Sequence, residues 1–322
     1  MTYSAGGLIQ AVDYNGFAND TGGANANGVW ATGSTDRGYG QSALGTVAAT
    51  NTVTATQWAS LVNTISSIAS HQGTTITART APTAGNLISI FAALSTDLTN
   101  CTTNRGNAVA NGTQFTGWSG TNSKTATTSG ASWTITFTNT VTFASADAAR
   151  YFFNAGGRIK IDVSKTSTGN TGDPEWNDLA NTLCGDIYIT GGTATQTIAG
   201  SSYTGTTKVG GTGTPTTLTT TTGWYDLTAG GAATIVYKQF ADTAPYTANY
   251  IQHSIAKGAG SDTLVITTLW QNTDSDPITG GTASSGATPG TAPTTIVTYF
   301  PPSSTYLTTA AWGTPSVAAT TT

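Results

Sequence analysis

The stretch that decides the fold is Trp133-Thr-Ile-Thr-Phe-Thr-Asn-Thr-Val-Thr-Phe143. Trp133, Ile135, Phe137, Val141 and Phe143 take the odd positions, and Thr134, Thr136, Thr138, Thr140 and Thr142 the even ones. Side chains of an extended chain alternate between two faces, so this period of two predicts a half-buried strand with its aromatic and aliphatic face inward and a Thr ladder outward. Downstream, Ser145 is placed to cap a short helix running through Arg150 to Phe153, which Gly156 or Gly157 ends in a left-handed conformation. Arg158-Ile-Lys-Ile-Asp-Val-Ser then alternates again, and further short strands are expected at 183–190, 232–240, 248–256, 262–270 and 294–300, separated by Gly, Pro, Asp and Thr clusters. Several short strands with no helical pattern between them indicate an antiparallel sandwich or barrel. No repeat of fixed period is present, which argues against a solenoid or a long β-helix.

Upstream of the strand the period changes. Thr54-x-x-Gln57 has the form of a capping box, and Trp58, Leu61, Val62, Ile65, Ile68 and Ala69 follow on one helical face before Gly73 stops it. A second amphipathic helix is expected after Gly85, with Leu87, Ile90, Phe91, Leu94, Leu98 and Cys101 in its stripe; the two stripes are expected to pack on each other. Residues 105–130 are mostly Asn, Gly, Thr and Ser, with Phe115 and Trp118 as the large side chains. The predicted architecture is therefore α+β and multidomain: an N-terminal helical attachment module at 1–105, a polar connector at 106–130, and an antiparallel β-sandwich-like domain at 131–322, with disorder most expected after Pro315.

Composition narrows the function. Of 322 residues only 8% are charged, against roughly 25% in an average domain, while 71 are Thr and 39 are Gly, so hydroxyl groups supply much of the wetted surface. The 8 Trp, 12 Tyr and 9 Phe argue for a core or an interface rather than a disordered chain. A net charge of −4 with singly scattered basic residues excludes a row of phosphate contacts, so no nucleic-acid partner is expected. The opening Met1-Thr-Tyr-Ser-Ala-Gly-Gly-Leu-Ile-Gln has no basic, apolar leader pattern, and no apolar run reaches 18 residues; synthesis in a cytoplasm without membrane insertion is expected. Cys101 and Cys184 fit no metal spacing and read as buried free thiols.

Groups able to do chemistry are few: two His, one Glu and 14 Asp. His71 at a helix end and His253 within a strand have no partner at a diagnostic spacing, and each reads as a satisfied structural residue. Asp173-Pro-Glu175-Trp-Asn-Asp178 reads as a turn between strands; the alternatives are a Ca²⁺ site, or the carboxylate pair of a glycosidase that would lose activity in Glu175→Ala. Asp274-Ser-Asp276-Pro reads the same way. Walker, GxSxG and HExxH motifs are absent, and no cofactor is expected.

Two sets of phrases carry a resemblance. Asp13-Tyr14-Asn15, then Gly38-Tyr39-Gly40-Gln41-Ser42, then a Thr-capped helix opening at Gln57-Trp58 and ending in His71-Gln72-Gly73-Thr74, form the first; Ala149-Arg150-Tyr151-Phe152-Phe153-Asn154-Ala155-Gly156-Gly157-Arg158-Ile159 is the second. Together they cover roughly a third of the chain and resemble phrases of virion structural proteins of tailed bacteriophages. The resemblance implies a non-enzymatic tail, neck or collar fibre subunit located in the virion. The partners it implies are other copies of the chain, as a homotrimer or alternatively a hexameric ring, and other virion proteins. Asp13, Tyr14, Asn15, Gly38, Tyr39, Gly40, Gln41, Trp58, Phe152, Phe153, Asn154, Gly156 and Gly157 are the assembly residues it suggests. The alternatives are a capsid decoration protein and a host-receptor adhesin whose exposed Trp176, Trp224, Tyr225, Tyr246 and Trp312 stack on a surface glycan.

Overall fold

In chain order the helices are α1 (Ala11–Asn19), α2 (Ala26–Trp30), α3 (Ala55–Gln72), α4 (Phe91–Thr103), α5 (Ala146–Asn154) and α6 (Asp173–Asp178), the last continued by a π-helical turn at Leu179–Cys184. The strands are β1 (Asn122–Ser123), β2 (Trp133–Thr142), β3 (Arg158–Ser164), β4 (Asp186–Ile189), β5 (Gln196–Ile198), β6 (Ser201–Tyr203), β7 (Thr206–Val209), β8 (Thr217–Leu218), β9 (Thr234–Phe240), β10 (Tyr250–Lys257), β11 (Thr263–Asn272), β12 (Ile278–Thr279), β13 (Thr282–Ala283), β14 (Thr294–Phe300) and β15 (Ser316–Thr321). This computed structural model describes residues 10–19, 24–84, 91–112, 122–124, 132–166, 173–273, 278–279, 282–283 and 292–322.

The alternating stretch is β2, with its odd-numbered side chains buried. It lies inside a six-stranded sheet ordered β15-β2-β11-β10-β9-β8, and β3 lies inside a five-stranded sheet ordered β1-β14-β3-β4-β7. Every pairing in both sheets is antiparallel. The inner faces supply the sandwich core: Ile135, Phe137, Val141, Ile251, Ile255, Ile266 and Trp270 from one sheet, and Ile159, Ile161, Ile187, Ile189, Val297 and Tyr299 from the other. Amphipathic α5 closes one end. Ser145 accepts from the Ala148 N–H as its N-cap, and Phe152 touches Phe143, just past β2, at 5.2 Å and Tyr299 of β14 at 5.9 Å, so one helix pins both sheets. Nearby, α6 carries Trp176 between Trp133 (5.0 Å) and Trp270 (5.8 Å).

The helical layer forms as the patterning predicts. Thr54 and Gln57 make the capping box, Gly73 ends α3 at φ 70°, and Leu94, Leu98 and Cys101 of α4 are buried beside it. Leu87 and Ile90 fall outside the described residues. Trp58 packs edge-on against Tyr14 of α1 at 5.5 Å.

An N-terminal group of helices and a largely antiparallel β body are both present, as expected, and one apolar cluster includes Tyr14, Trp58 and Leu98 together with Phe137, Phe152 and Trp270, so the two pack on a shared core. Three expectations are corrected. The connector is not a bare linker where it is described: Ala108 bridges Ile198 and Asn111 bridges Pro302, while Phe115 and Trp118 lie outside the described residues. Residues 173–184 are helical rather than a turn and the start of a strand, because the Trp176, Leu179, Ala180 and Leu183 side chains bury a face that Asp-Pro alone does not reveal. After Pro315 the chain is β15, held in register by the neighbouring β2.

Candidate functional site

The Gly38-Tyr39 phrase, the end of α3 and the Arg150-to-Gly157 phrase meet in one place, while Asp13-Tyr14-Asn15 packs inside the helical layer. Asp13 accepts from the Gln10 N–H at 3.1 Å, at the start of α1. The Asn15 amide pairs with both backbone groups of Val47 (2.8 Å each), and Asn27 does the same with Leu44 (2.9 and 2.8 Å), so two side chains act as strand partners for an extended loop. Gly38 has φ 94°, and a Cβ there would fall 2.2 Å from the Thr32 carbonyl oxygen. The Tyr39 hydroxyl donates to the Arg105 carbonyl at 2.7 Å and accepts from Gln72 Nε2 at 2.8 Å. From the other phrase, Arg150 donates to the carbonyls of Thr32 and Arg37 at 3.0 Å, and Asn154 Nδ2 donates to the Gly38 carbonyl at 3.0 Å. His71 Nε2 lies 3.1 Å from the Ala155 carbonyl oxygen, and Gly157 leaves room for the Phe152 carbonyl, which a Cβ would approach to 2.6 Å.

This corrects the assembly reading of those residues. Asp13, Tyr14, Tyr39, Gln41, Trp58, Phe152, Phe153 and Asn154 are buried within the chain, Tyr14 against Trp58 inside the helical layer and Asn154 on the Gly38 carbonyl across the joint. Gly38, Gly40, Gly156 and Gly157 serve the same joint through backbone shape: at Gly40 (φ 71°) a Cβ would meet the Tyr151 ring at 2.5 Å, and at Gly156 (φ 94°) it would meet Ala108 at 2.8 Å. The glycan-stacking set is corrected too. Trp176 and Trp224 are 2% exposed, Trp312 3% and Tyr246 8%, so none presents a ring face to a large ligand. Tyr225 alone of the five is half-buried rather than buried.

Beside that joint lies a cavity of about 310 Å³, lined by Asp36, Arg105, Asn107, Gln196, Tyr225 and Asp226 together with the Gly191–Thr195 loop. Arg105 ion-pairs with Asp36 and donates to the Thr102 carbonyl at 2.9 Å. The Tyr225 hydroxyl donates to Asn154 Oδ1 at 2.6 Å, and burial pushes its pKa well above the usual phenol range, so it stays protonated. Of the lining residues the sequence reading singled out Tyr225, and Phe153 and Asn154 within the second phrase.

Both histidines are held uncharged by burial: His71 is pushed down to about 4, and His253, with Nδ1 3.0 Å from the Thr268 hydroxyl, to about 3. Neither lines the cavity. The thiols of Cys101 and Cys184 are free and buried, and burial raises each to about 12, far from a reactive thiolate. Glu175, Asp178 and Asp242 bring one carboxylate oxygen each within 4.8 Å of the others, so Asp242 completes a group for which the sequence suggested Asp173. Burial raises the Glu175 pKa, and the Thr243 N–H donates to it at 3.4 Å. Such a cluster has the oxygen chemistry for a divalent cation, but Glu175 does not reach the cavity. Asp274 and Asp276 lie outside the described residues. Among the described residues no helix is long and apolar enough to cross a membrane.

Fold and site define an α+β class: a β-sandwich-like body with a helical layer seated on it through a polar joint. Comparison with protein-family models, with curated proteins and with solved structures finds no match.

Proposed function

We propose that the chain is a non-enzymatic structural subunit of a tailed-phage virion, a tail, neck or collar fibre component that assembles as a homo-oligomer, trimer before hexameric ring. The observation that supports this most is the outer face of the six-stranded sheet. By register it presents Ser316, Ala318 and Thr320 of β15, then Thr134 to Thr142 of β2, then Thr263, Val265, Thr267, Leu269 and Gln271 of β11, then Tyr250, Gln252, Ser254 and Ala256 of β10. Four adjacent strands offer no Asp, Glu, Lys or Arg on that face, and charge is reached only at Lys238 of β9. Depletion of charge is what distinguishes the centre of a subunit contact from ordinary protein surface. The resemblance of the joint phrases to virion proteins supports the same reading.

The test is native mass beside a double variant, Thr136→Lys with Thr138→Lys. On a solvent face such changes fall within about ±0.5 kcal/mol. Pressed against a neighbouring subunit, each brings an unpaired charge into a dry contact. The expected result is an oligomer for the natural chain and folded, dissociated subunits for the variant, by light scattering and circular dichroism. A monomeric natural chain, or a variant that stays assembled with unchanged melting, overturns the reading.

A further inference from the structure

An open sheet has two edges, and an edge strand offers unpaired N–H and C=O groups to any strand that comes alongside, so soluble proteins shorten, charge or cover their edges. Among the described residues three of the four edges of the two large sheets follow this rule. β1 and β8 are two residues long, and β7 carries Lys208, whose Nζ donates to the Gly211 and Gly213 carbonyls. β15 departs from it. This edge runs for six residues, Ser316-Val-Ala-Ala-Thr-Thr321, with no charge, no proline and no break in its register on β2.

The hydrogen bonding shows which of its groups are free. The Thr136 N–H donates to the Thr322 carbonyl at 2.8 Å, and the Thr322 N–H donates back to the Thr136 carbonyl at 2.9 Å. In an antiparallel pair such exchanging residues recur at every second position, so Thr320, Ala318 and Ser316 are the others that bond β2. The N–H and C=O groups of Val317, Ala319 and Thr321 therefore point away from β2, and among the described residues nothing bonds to them. β1, an edge of the other sheet, is paired with Thr294 and Thr295 of β14. Ser316, Ala318, Thr320 and Thr322 are exposed, so the outer side of the strand is open as well.

The occupant that fits this edge is the same strand turned around. With Ala319 opposite Ala319 of a second copy, Val317 falls opposite Thr321 and Thr321 opposite Val317, so the three free positions of one strand meet the three free positions of the other. Each of these pairs exchanges two bonds. Between them Ser316 lies beside Thr322 and Ala318 beside Thr320, so no side chain larger than Val has to be accommodated. A contact between two identical charged edges would set like charges against each other, and β15 has none to oppose. We propose that β15 pairs antiparallel with β15 of a second copy about a twofold axis, joining two six-stranded sheets into one. This pairing does not rest on the assembly reading, because its bonds lie in the plane of the sheet and leave the outer face free.

The decisive variant is Ala319→Pro. It removes an N–H that faces away from β2, where a strand tolerates proline, and its ring blocks the approach of the second copy. A contact of six residues a side is small and associates weakly, so the measurement is sedimentation at on the order of 100 µM protein, beside circular dichroism. The expected result is that Ala319→Pro halves the mass of the assembly and stays folded, whereas Thr136→Lys with Thr138→Lys retains the edge pair; the second variant tells failure of the face contact from failure of the edge. Hydrogen exchange reads the natural chain without any variant: the amides of Val317, Ala319 and Thr321 slow as concentration rises, and those of Ala318 and Thr320 are slow throughout. A folded Ala319→Pro chain of unchanged mass, a natural chain that is monomeric at this concentration, or fast exchange at all three outward amides overturns the proposal.

Discussion

The two sheets share one core but present different outer faces. On the five-stranded sheet the outer side of β3 carries Lys160 and Asp162, and Lys160 lies 3.7 Å from Asp162 and 3.5 Å from Asp186 of β4. At the end of that face Arg158 is buried among aromatic rings, 4.6 Å from the Tyr203 centroid, 5.0 Å from Phe300 and 5.8 Å from Tyr188. The segment around Ala108 and the β5-β6 hairpin cover it as a small second apolar cluster. Among the described residues, the four strands of the six-stranded sheet named above make no ion pair on their outer face, which carries hydroxyl, amide and aliphatic groups and the Tyr250 ring. The five-stranded sheet thus keeps charge on its outer side where the six-stranded sheet has none on these four strands.

Acid gives the largest expected effect on this contrast. His253 lies under the bare face and His71 under the helical layer, both uncharged, with folded pKa values of about 3 and 4 against 6.5 for the free side chain. Folded pKa values below the unfolded one mean that the unfolded chain takes up protons first. Stability is therefore complete above pH 6.5 and falls as pH drops through that value towards 4 and 3. Each histidine costs about 2 kcal/mol between pH 7 and pH 5. Asp162 works in the opposite sense: burial raises its pKa, so protonation favours the fold. Amide exchange at pH 5 is expected to show faster opening of β10 than of β3; equal acceleration in both sheets would remove the distinction.

Arg158→Ala is next, at about 3 kcal/mol, because it empties the space among three rings and removes desolvated cation–π contacts. Arg158→Lys is expected to cost roughly half as much, since an ammonium lacks the planar stacking surface. Urea denaturation of both variants checks the order. The smallest effect is Lys160→Met, expected within about 1 kcal/mol because its partners are part-exposed; a larger loss would mean that this face, too, is held by charge.

Much of the fold was legible because its signals are local. The β2 alternation, the Thr54 capping box and the Ser145 cap each lie within a dozen residues and each forms as read. Helices α1 and α2 were not legible, since nine and five residues give too little periodicity and their packing against α3 supplies the order. β15 was hidden for a different reason: Ser316–Thr321 has no large apolar side chain, and its extended form comes from β2 alongside. The cavity was illegible as a unit: Phe153, Asn154 and Tyr225 of its lining were singled out separately, but its walls come from five segments far apart in sequence, and the unmatched oxygen of Gln196 is a property of the folded neighbourhood.

Gln41 joins distant parts of the chain. Its Nε2 donates to the Tyr39 and Thr309 carbonyls, and its Oε1 accepts from the N–H groups of Thr308 and Thr309, across 268 residues in the latter case. β2 likewise waits for residues 316–321 before its second edge is paired. Closure over such a separation is entropically costly and slow. During synthesis the helical layer can acquire its local turns early, but the Gln41 contacts with Thr308 and Thr309 form only after residue 309 has left the ribosome. Until then the inner faces of both sheets are incomplete, and a nascent chain is safest among chaperones rather than among its own copies.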